Sequence, residues 1–380
     1  MGLVGPGFVA PHHIDAVRRI GGVEIIGIAG SSLKKTERKA EELGIPRAYG
    51  SYEELIADPD IQVIHNTTPN HMHFPVDMAV IKAGKHIISD KPLAISVEQC
   101  RQLAAAAEQA GVVAAVTFNH RGYPLVQQMR GMIAAREIGD LAYIHGHYLQ
   151  DWMTSDRVYS WRMDPMLGGP SSALADIGSH WCDLAQHVVG SEIADVFADL
   201  STIVKTRYST GESAEAFAAT DSEKDLKSFP MKQEDHATVL LRFANGTRGV
   251  LTAGQVLPGH KNDLRIEING RSSSLAWQSE NANNLWIGHH DRPNEIMPKD
   301  PSMLCPEARR YARLPGGHHE AWPDAFYNIL ADIYALIRSG QTTPSPASTV
   351  TTFRSATQIA AVIEAMLASH EVGTWQKVQA

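Results

Sequence analysis

The sequence predicts an α/β protein of two domains: a doubly wound parallel sheet over residues 1–120, then a second α/β domain over residues 121–380 with a large, mostly antiparallel open sheet. Three observations support this prediction. The 380 residues exceed what one ordinary hydrophobic core holds. Short apolar runs alternate with helical patterns over the first third, which is typical of βαβ units. The later residues contain consecutive strand-like runs instead.

Charge and cysteine content exclude several classes of protein. Lys and Arg number 34 and Asp and Glu number 42, so the net charge of −8 disfavours nucleic acid and anionic membranes as partners. Cys100, Cys182 and Cys305 lie far apart, which fits neither a disulfide framework nor a metal site and indicates a reducing, cytoplasmic location. No apolar stretch approaches the roughly 18 residues of a membrane span.

In the first domain, short strands are expected to alternate with helices. Pro11 stands where a first helix could begin, and Gly44, Gly84 and Gly111 stand where helices could end. The expected strands cover residues 2–4, 23–29, 61–65, 86–89 and 112–118, and the expected helices cover residues 11–20, 33–43, 73–83 and 96–110.

In the second domain, helices frame a series of strands. Asn245-Gly246 lies between two strand-like runs and predicts a hairpin. Two polar stretches, residues 208–232 and 291–313, are expected to be surface loops. The expected strands cover residues 142–150, 194–204, 236–243, 248–255, 264–269 and 274–278, and the expected helices cover residues 124–135, a segment after Asp176, and residues 322–337 and 349–368.

A glycine-rich loop follows the first strand. It has the form G-x-G-x-x-A, formed by Gly5, Gly7 and Ala10 with Phe8 and Val9 between the last two. The first glycine permits a tight turn, the second lets the backbone approach a pyrophosphate, and the small third residue lets the helix pack on the strand. Because the loop joins a strand to a helix, it predicts dinucleotide binding; the alternative is a tight turn without a ligand.

The end of the second strand bears on the choice between NAD and NADP. An acidic residue that grips the adenosine ribose is expected about 20 residues after the loop. This chain has Ser31 and Ser32 there, followed by the cations Lys34, Lys35 and Arg38. Hydroxyls and cations suit a 2′-phosphate, so NADP is favoured over NAD. The alternative is a solvated helix start in which Ser is the N-cap.

Three further motifs appear in a fixed order. Residues 67–73 read TTPNHMH, residues 84–93 read GKHIISDKPL, and residues 176–180 read DIGSH. Together with the glycine-rich loop, they resemble the Gfo/Idh/MocA family of oxidoreductases, which includes glucose–fructose oxidoreductase and inositol dehydrogenases. Asp90 stands where the family usually has Glu, which keeps the charge on a shorter side chain.

The resemblance implies a fold and an activity. Members have a Rossmann domain followed by an α/β domain whose open sheet commonly forms the oligomer interface, so a homodimer or homotetramer through that sheet is expected. They mostly oxidise or reduce one carbon of a sugar, sugar derivative or cyclitol with a nicotinamide cofactor. Lys91 matches the family's lysine, and Asp176 and His180 match its Asp–His pair. These three are the candidate catalytic residues.

The residue types suit that chemistry. Asp176 and His180 are four positions apart, so on a helix they share a face. An imidazole that titrates near neutral pH suits a general base for a hydroxyl proton, and the carboxylate can orient it or bind a neighbouring substrate hydroxyl. Lys91 would favour developing alkoxide charge. An N-cap role for Asp176 and a satisfied buried His180 are the structural alternatives.

Further site residues are expected around these three. Cofactor contacts are also expected from residues after the strands expected over 61–65, 86–89 and 112–118, namely Thr68, Pro69, Asn70, His73, Asp90, Lys91 and Asn119. For Asn70 and His73 the alternatives are a helix cap and core packing. Substrate contacts are expected from Trp161, Arg162 and His236 in addition to the catalytic residues, since sugar sites need flat rings and hydrogen-bond donors. The paired histidines lack metal-ligand spacing, so no metal is expected.

Two other functions compete with a dehydrogenase or reductase. A ligand-sensing regulator on the same fold would bind the cofactor without turnover, and it would be expected to lose the lysine or histidine that this chain retains. A glycosidase that uses bound NAD for transient oxidation would not release reduced cofactor. The identity of the sugar is beyond the sequence, because selection among hydroxyls depends on the shape of the pocket.

Overall fold

The computed structural model describes residues 1–210 and 226–380 and divides into two compact units. The first unit comprises Met1–Gly122 and Trp322–Thr357, and the second comprises Tyr123–Ala321 and Gln358–Ala380. The sequence prediction placed all of residues 121–380 in one domain. The difference has a physical cause: an amphipathic helix in the returning segment buries its apolar face in the core of the first unit.

The first unit is built around a seven-stranded sheet in the order β17-β6-β5-β4-β1-β2-β3, in which only β17 runs antiparallel to its neighbour. Strands and helices are numbered in chain order. The strands are β1 (Gly2–Val4), β2 (Gly27–Ala29), β3 (Arg47–Tyr49), β4 (Val63–Asn66), β5 (His86–Ser89), β6 (Ala114–Val116) and β17 (Thr351–Thr352). The helices are α1 (Ala10–Ile20), α2 (Leu33–Leu43), α3 (Tyr52–Ala57), α4 (Asn70–Lys82), α5 (Val97–Ala110) and α10 (Trp322–Arg338).

Local sequence explains most of these elements. Ser32, Ser51 and Ser96 cap α2, α3 and α5 by accepting hydrogen bonds from backbone N–H groups three residues later. Gly44 and Gly111 end α2 and α5 in the left-handed conformation. The central strands are buried on both faces, as helix-covered parallel sheets require. The core joins strands to the returning helix through Leu3, Ile14, Val17, Ile28, Ile88, Phe326, Ile329 and Ile333.

The second unit is built around a nine-stranded sheet in the order β16-β15-β14-β13-β7-β12-β11-β8-β18. All neighbours are antiparallel except β7 and β12. The strands are β7 (Leu141–Leu149), β8 (Ile193–Ser201), β11 (His236–Phe243), β12 (Arg248–Gly254), β13 (Asp263–Gly270), β14 (Ser273–Gln278), β15 (Asn284–His289), β16 (Glu295–Pro298) and β18 (Gln376–Lys377), and a separate hairpin pairs β9 (Thr206–Ser209) with β10 (Lys227–Pro230).

Helices α6 and α8 pack on one face of this large sheet. The helices of this unit are α6 (Pro124–Ala134), α7 (Pro165–Gly168), α8 (Ser179–Val189) and α9 (Pro306–Arg309), and most of α11 (Phe353–Val372) also belongs to it. Helix α8 packs on β13, and the Trp181 indole N–H donates to the Arg265 carbonyl at 3.0 Å. The opposite face exposes large apolar side chains, including Tyr143, Leu240 and Ile296. Within the described ranges, no helix is long and apolar enough to span a membrane.

The structure corrects several predicted elements. The strand expected over residues 23–29 is only Gly27–Ala29, because its partner β1 offers just three residues for pairing. Strand β3 and helix α3 were not predicted, since Arg47–Tyr49 is a half-exposed edge strand without an apolar run. The loop expected over 291–313 contains β16 and α9. The loop expected over 208–232 contains β10, and its residues 211–225 lie outside the described part.

Candidate active site

The carboxyl ends of the parallel strands bring the predicted cofactor residues to one edge of the first sheet. Five of the six parallel strands are followed there by predicted residues: Gly5 to Ala10 after β1, Ser31 and Ser32 after β2, Thr68 to His73 after β4, Asp90 and Lys91 after β5, and Asn119 after β6. Strand β1 lies between β4 and β2, so the glycine-rich loop stands where the strand order reverses. This is where open α/β sheets bind ligands.

The two glycines of the loop have different surroundings. Gly5 has a φ of +91°, and a Cβ built there would lie 2.7 Å from the backbone nitrogen of Thr68. The position therefore requires glycine. A Cβ built at Gly7 meets no heavy atom within 4 Å, so the backbone is open to a ligand at that point. Phe8 is exposed, Val9 is the N-cap of α1, and Ala10 begins the helix in the core.

At the end of β2, the structure confirms Ser32 as a helix cap. Its hydroxyl accepts a hydrogen bond from the Lys35 N–H at 3.4 Å. Ser31 and Arg38 are exposed, as are Lys34 and Lys35. The hydroxyl and the cations thus lie on the surface next to the loop, and residues 30–32 contribute no carboxylate.

A buried amide–carboxylate pair orders the loop after β4. The Asn66 amide donates to the Asp77 carboxylate at 2.7 Å, and its carbonyl oxygen accepts from the Thr68 hydroxyl at 2.7 Å and the Thr68 N–H at 3.2 Å. Burial raises the pKa of Asp77 to about 7. The pair fixes Thr68, and with it the start of α4, whose N-cap is Pro69 and whose first residue is Asn70.

His73 connects this loop to the segment that contains Lys91, the candidate catalytic lysine. Its Nε2 lies 2.8 Å from the Thr68 carbonyl oxygen, and its Nδ1 lies 2.7 Å from the Pro92 carbonyl oxygen. Burial lowers the pKa of His73, while the Asp90 charge and both carbonyls oppose that shift. The side chain is fully enclosed in this bridge. It therefore positions the chain around Lys91, in agreement with the core-packing alternative.

Three residues that follow β6, namely Thr117, Asn119 and His120, complete this edge of the first sheet. The Thr117 hydroxyl donates to the Asp90 carboxylate at 2.7 Å. Burial, and then the charge of Lys91, lower the pKa of His120 to about 3, so this imidazole stays neutral. The buried Asn119 Nδ2 has no hydrogen-bond partner among the described residues. The unpartnered Asn119 donor and the open space at Gly7 both fit a bound dinucleotide. A polar group of the dinucleotide would accept from the Asn119 amide, and its pyrophosphate would occupy the space at Gly7.

In the second unit, a buried carboxylate anchors the helix that carries the other two candidates. The Glu234 carboxylate accepts hydrogen bonds from the Ser171 hydroxyl at 2.6 Å and the Leu174 N–H at 2.9 Å. Burial raises the pKa of Glu234, and these hydrogen bonds oppose the shift. The anchored segment begins with a π-helical turn over Leu174–Gly178 and continues as α8. Such turns are frequent at functional sites.

Asp176 and His180 share a polar environment on this helix. The Gln255 amide donates to the Asp176 carboxylate at 2.7 Å. The Tyr148 ring lies 6.2 Å from the His180 ring, centroid to centroid. Burial, and then the charge of Asp176, raise the pKa of Tyr148, so the phenol stays protonated. Tyr148 is therefore a neighbour of both candidates, the Asp176 carboxylate and the His180 imidazole.

The predicted substrate residues lie on two other elements. Trp161 and Arg162 form a short turn over Trp161–Met163, with the guanidinium 4.6 Å from the indole ring centre. His236 begins β11 opposite Gly254, the residue before Gln255. Its Nδ1 lies 3.5 Å from the Ser201 hydroxyl. His236 thus neighbours the strand end that contacts Asp176, whereas Trp161 and Arg162 occupy a separate turn.

Sequence reasoning missed the polar residues around Asp176. Tyr148 and Gln150 lie at the end of β7, Gln255 follows β12 and Asn262 precedes β13, and no spacing in the sequence links these three segments. Their common signal, a polar side chain at the end of an apolar strand, is too frequent to single them out. In the described part of the chain, no group of three or more His, Cys, Asp or Glu side chains is placed to hold a metal ion.

Comparison with known proteins assigns the family. Residues 1–118 match the model of an oxidoreductase family with an NAD-binding Rossmann fold, and residues 126–276 match the GFO/IDH/MocA C-terminal domain. Levoglucosan dehydrogenase of Pseudarthrobacter phenanthrenivorans is 31% identical over 303 residues, which cover 76% of this chain and 75% of that one. The chain belongs to the Gfo/Idh/MocA family. It is an oxidoreductase with an NAD-binding Rossmann domain.

Other Gfo/Idh/MocA proteins agree in sequence and fold. A structure of levoglucosan dehydrogenase with NADH and L-sorbose has a TM-score of 0.89 at 27% identity and covers 100% of this chain and 98% of its own. The complex with NADH and levoglucosan has a TM-score of 0.88. The 1,5-anhydro-D-fructose reductase of Ensifer adhaerens is 31% identical over 201 residues, which cover 52% of this chain and 58% of that one.

Proposed function

We propose that this chain transfers a hydride between a nicotinamide and a secondary alcohol or ketone of a sugar, sugar derivative or cyclitol. The observation that carries the proposal is the placement of an ordered carboxylate and a buried imidazole on consecutive helical turns: Asp176 is held at 2.7 Å by Gln255, and His180 lies beside Tyr148. Lys91, in the motif after β5, is the third group that the family resemblance implies. Relatives named for anhydro sugars, levoglucosan dehydrogenase and 1,5-anhydro-D-fructose reductase, support this substrate class.

Each residue has a role in that reaction. A bound nicotinamide supplies the hydride acceptor in oxidation and the donor in reduction. His180 takes the hydroxyl proton on a ring nitrogen during oxidation and returns it during reduction. Lys91 stabilises the developing alkoxide. Asp176 accepts a hydrogen bond from a neighbouring hydroxyl or from the imidazole. His120 stays neutral beside the lysine charge, so it does not compete for the proton.

For the cofactor, we propose a preference for NADP(H) over NAD(H). The support is the surface next to the glycine-rich loop, where Ser31 and the cations Lys34, Lys35 and Arg38 are exposed and residues 30–32 contribute no carboxylate. A 2′-phosphate would gain hydrogen bonds and charge attraction there, whereas a bare ribose diol would lack its usual acidic partner.

The experiment is a screen of sugars, anhydro sugars and inositols against both cofactors, with the absorbance of reduced nicotinamide as the readout. We expect reduced cofactor to accumulate with at least one substrate, and kcat/KM to be higher with NADP(H). Cleavage of a glycosidic bond without accumulation of reduced cofactor would identify the glycosidase alternative. Cofactor binding without turnover of any substrate would identify a regulator. A kcat/KM tenfold higher for NAD(H) would contradict the proposed cofactor preference.

We also propose that the protein is a cytoplasmic homodimer or homotetramer assembled through the open face of the second sheet. Tyr143, Leu240 and Ile296 are exposed there on strands β7, β11 and β16, with exposed fractions of 39%, 45% and 59%. Exposed apolar side chains on one sheet face favour association with a second copy. The three cysteines are free thiols, which fits a reducing compartment.

A further inference from the structure

We propose that Gln255 is a positioning residue that holds the Asp176 carboxylate ionised and correctly oriented. This inference rests on the proposed function, because it concerns the same site. Gln255 is fully buried, directly after strand β12. Its Nε2 donates to Asp176 Oδ2 at 2.7 Å, a distance typical of a hydrogen bond to a charged acceptor. The neighbouring backbone fixes its place, since its N–H donates to the Asp235 carbonyl at 3.0 Å.

A chain of donors and acceptors fixes which way the Gln255 amide faces. The Trp152 indole can only donate, and it donates to Gln150 Oε1 at 2.9 Å. That oxygen also accepts from Gln255 Nε2 at 3.3 Å. Because Gln150 must present its oxygen to the indole, Gln255 must present its NH₂ group to Gln150 and to Asp176. The Gln255 NH₂ group therefore donates to both Gln150 and Asp176, and the amide presents no acceptor to either residue.

The other end of the chain is fixed in the same way. Gln150 Nε2 donates to Asn262 Oδ1 at 3.2 Å, and the Tyr148 hydroxyl donates to the same oxygen at 2.6 Å. Every member thus has one orientation that satisfies its neighbours. In this series of hydrogen bonds, Asp176 is the acceptor of the Gln255 amide. An ionised carboxylate, which can only accept, fits that place.

Stability alone does not explain Gln255. Its Oε1 is buried and has no hydrogen-bond partner in the described part of the chain. A buried acceptor left unpaired costs free energy, and a leucine of similar size would avoid that cost. Gln255 leaves its carbonyl oxygen unpaired, whereas its NH₂ group contacts Asp176. The polar side chain is therefore explained by its hydrogen bond to the carboxylate. Two titratable side chains also lie near Asp176, Tyr148 on β7 and His180 on α8, and neither is changed in the test below.

The test is a carbon-13 NMR titration of the Asp176 carboxyl carbon in the full-length protein, assigned with D176N, for the wild type, Q255L and Q255E. We expect the midpoint to move to higher pH in Q255L, because the donor is lost, and further in Q255E, because a second carboxyl shares the site. The kcat/KM of Q255L should fall about tenfold or more, with its acid limb displaced in the same direction, while Q255L still unfolds in a single cooperative transition.

The matched control is Q233L. Gln233 is also buried in the second unit, and its amide donates to the Gly169 carbonyl at 2.6 Å. Its replacement should lower the melting temperature and leave the Asp176 midpoint unchanged. Unchanged midpoints in both Q255L and Q255E would overturn the inference. Absence of turnover in every protein, including the wild type, would count against the proposed function, and the titration would still decide the role of Gln255.

Discussion

Gly5 and Gly7 lie two positions apart in the motif, and the structure gives them different requirements. Gly5 needs a positive φ and has the Thr68 backbone 2.7 Å from any added Cβ, so its constraint comes from the protein itself. Gly7 has neither constraint, because nothing lies within 4 Å of its added Cβ. Its small size is therefore explained by the pyrophosphate that would lie against it.

This difference predicts opposite outcomes for two substitutions. Gly7→Val should abolish dinucleotide binding and leave the melting temperature nearly unchanged, because the side chain would occupy ligand space only. Gly5→Ala should lower the free energy of unfolding by about 1–3 kcal/mol, because of the strained φ and the backbone clash. Isothermal titration with NAD(H) and NADP(H), together with thermal melts, measures both. Cofactor affinity retained in Gly7→Val would remove the assignment of this loop.

The residue scale also shows what the sequence could and could not reveal. Lys91, Asp176 and His180 could be proposed as candidates because each lies in a contiguous motif, and the glycine-rich loop could be proposed because its spacing reflects one turn. Gln255 and Asn262 have no such pattern, since strand order in the sheet brings them to Asp176 and Gln150. Pairing across a sheet leaves no fixed spacing in the sequence.

At the scale of elements, α10 packs against α1 and the sheet of the first unit. A buried polar chain crosses this junction: His13 Nδ1 lies 2.9 Å from His65 Nδ1, and His65 Nε2 lies 2.9 Å from the Tyr334 hydroxyl. The amphipathic pattern predicted α10 correctly, but nothing in it indicated that the helix returns to the first unit. Burial lowers the pKa of His13 to about 4 and that of His65 well below its ordinary value.

These shifts predict a loss of stability in acid. Both histidines are neutral in the folded protein and gain a proton on unfolding below about pH 6.5, so stability is lost as pH falls from 6.5 towards 4. His13→Leu should reduce that loss by roughly 1–3 kcal/mol between pH 7 and pH 4.5, measured by urea unfolding. His12→Leu, which replaces the neighbouring half-buried ring, is the control and should reduce it less. Equal acid sensitivity in wild type and His13→Leu would contradict the account.

At the scale of the whole molecule, the open sheet face predicts the assembly. Leu240 is 45% exposed on this face, on β11, the third strand from one edge of the sheet. Leu240→Arg should shift the protein to monomers, because it places a charge in an apolar interface. Leu314→Arg, at a leucine that is 40% exposed outside the sheet, is the matched control. Light scattering after size-exclusion chromatography measures the mass, and an unchanged oligomer in Leu240→Arg would exclude this face.

The central claim, that His180 moves the hydroxyl proton while the dinucleotide binds elsewhere, is tested most directly by the kinetics of His180→Ala on an authentic substrate. We predict that kcat falls by roughly 10²–10⁴ across pH 6 to 9. Cofactor affinity, measured by titration on the same variant, should change little, because the predicted cofactor residues lie on the first unit and His180 lies on α8 of the second. Wild-type turnover by His180→Ala over that pH range would contradict the account.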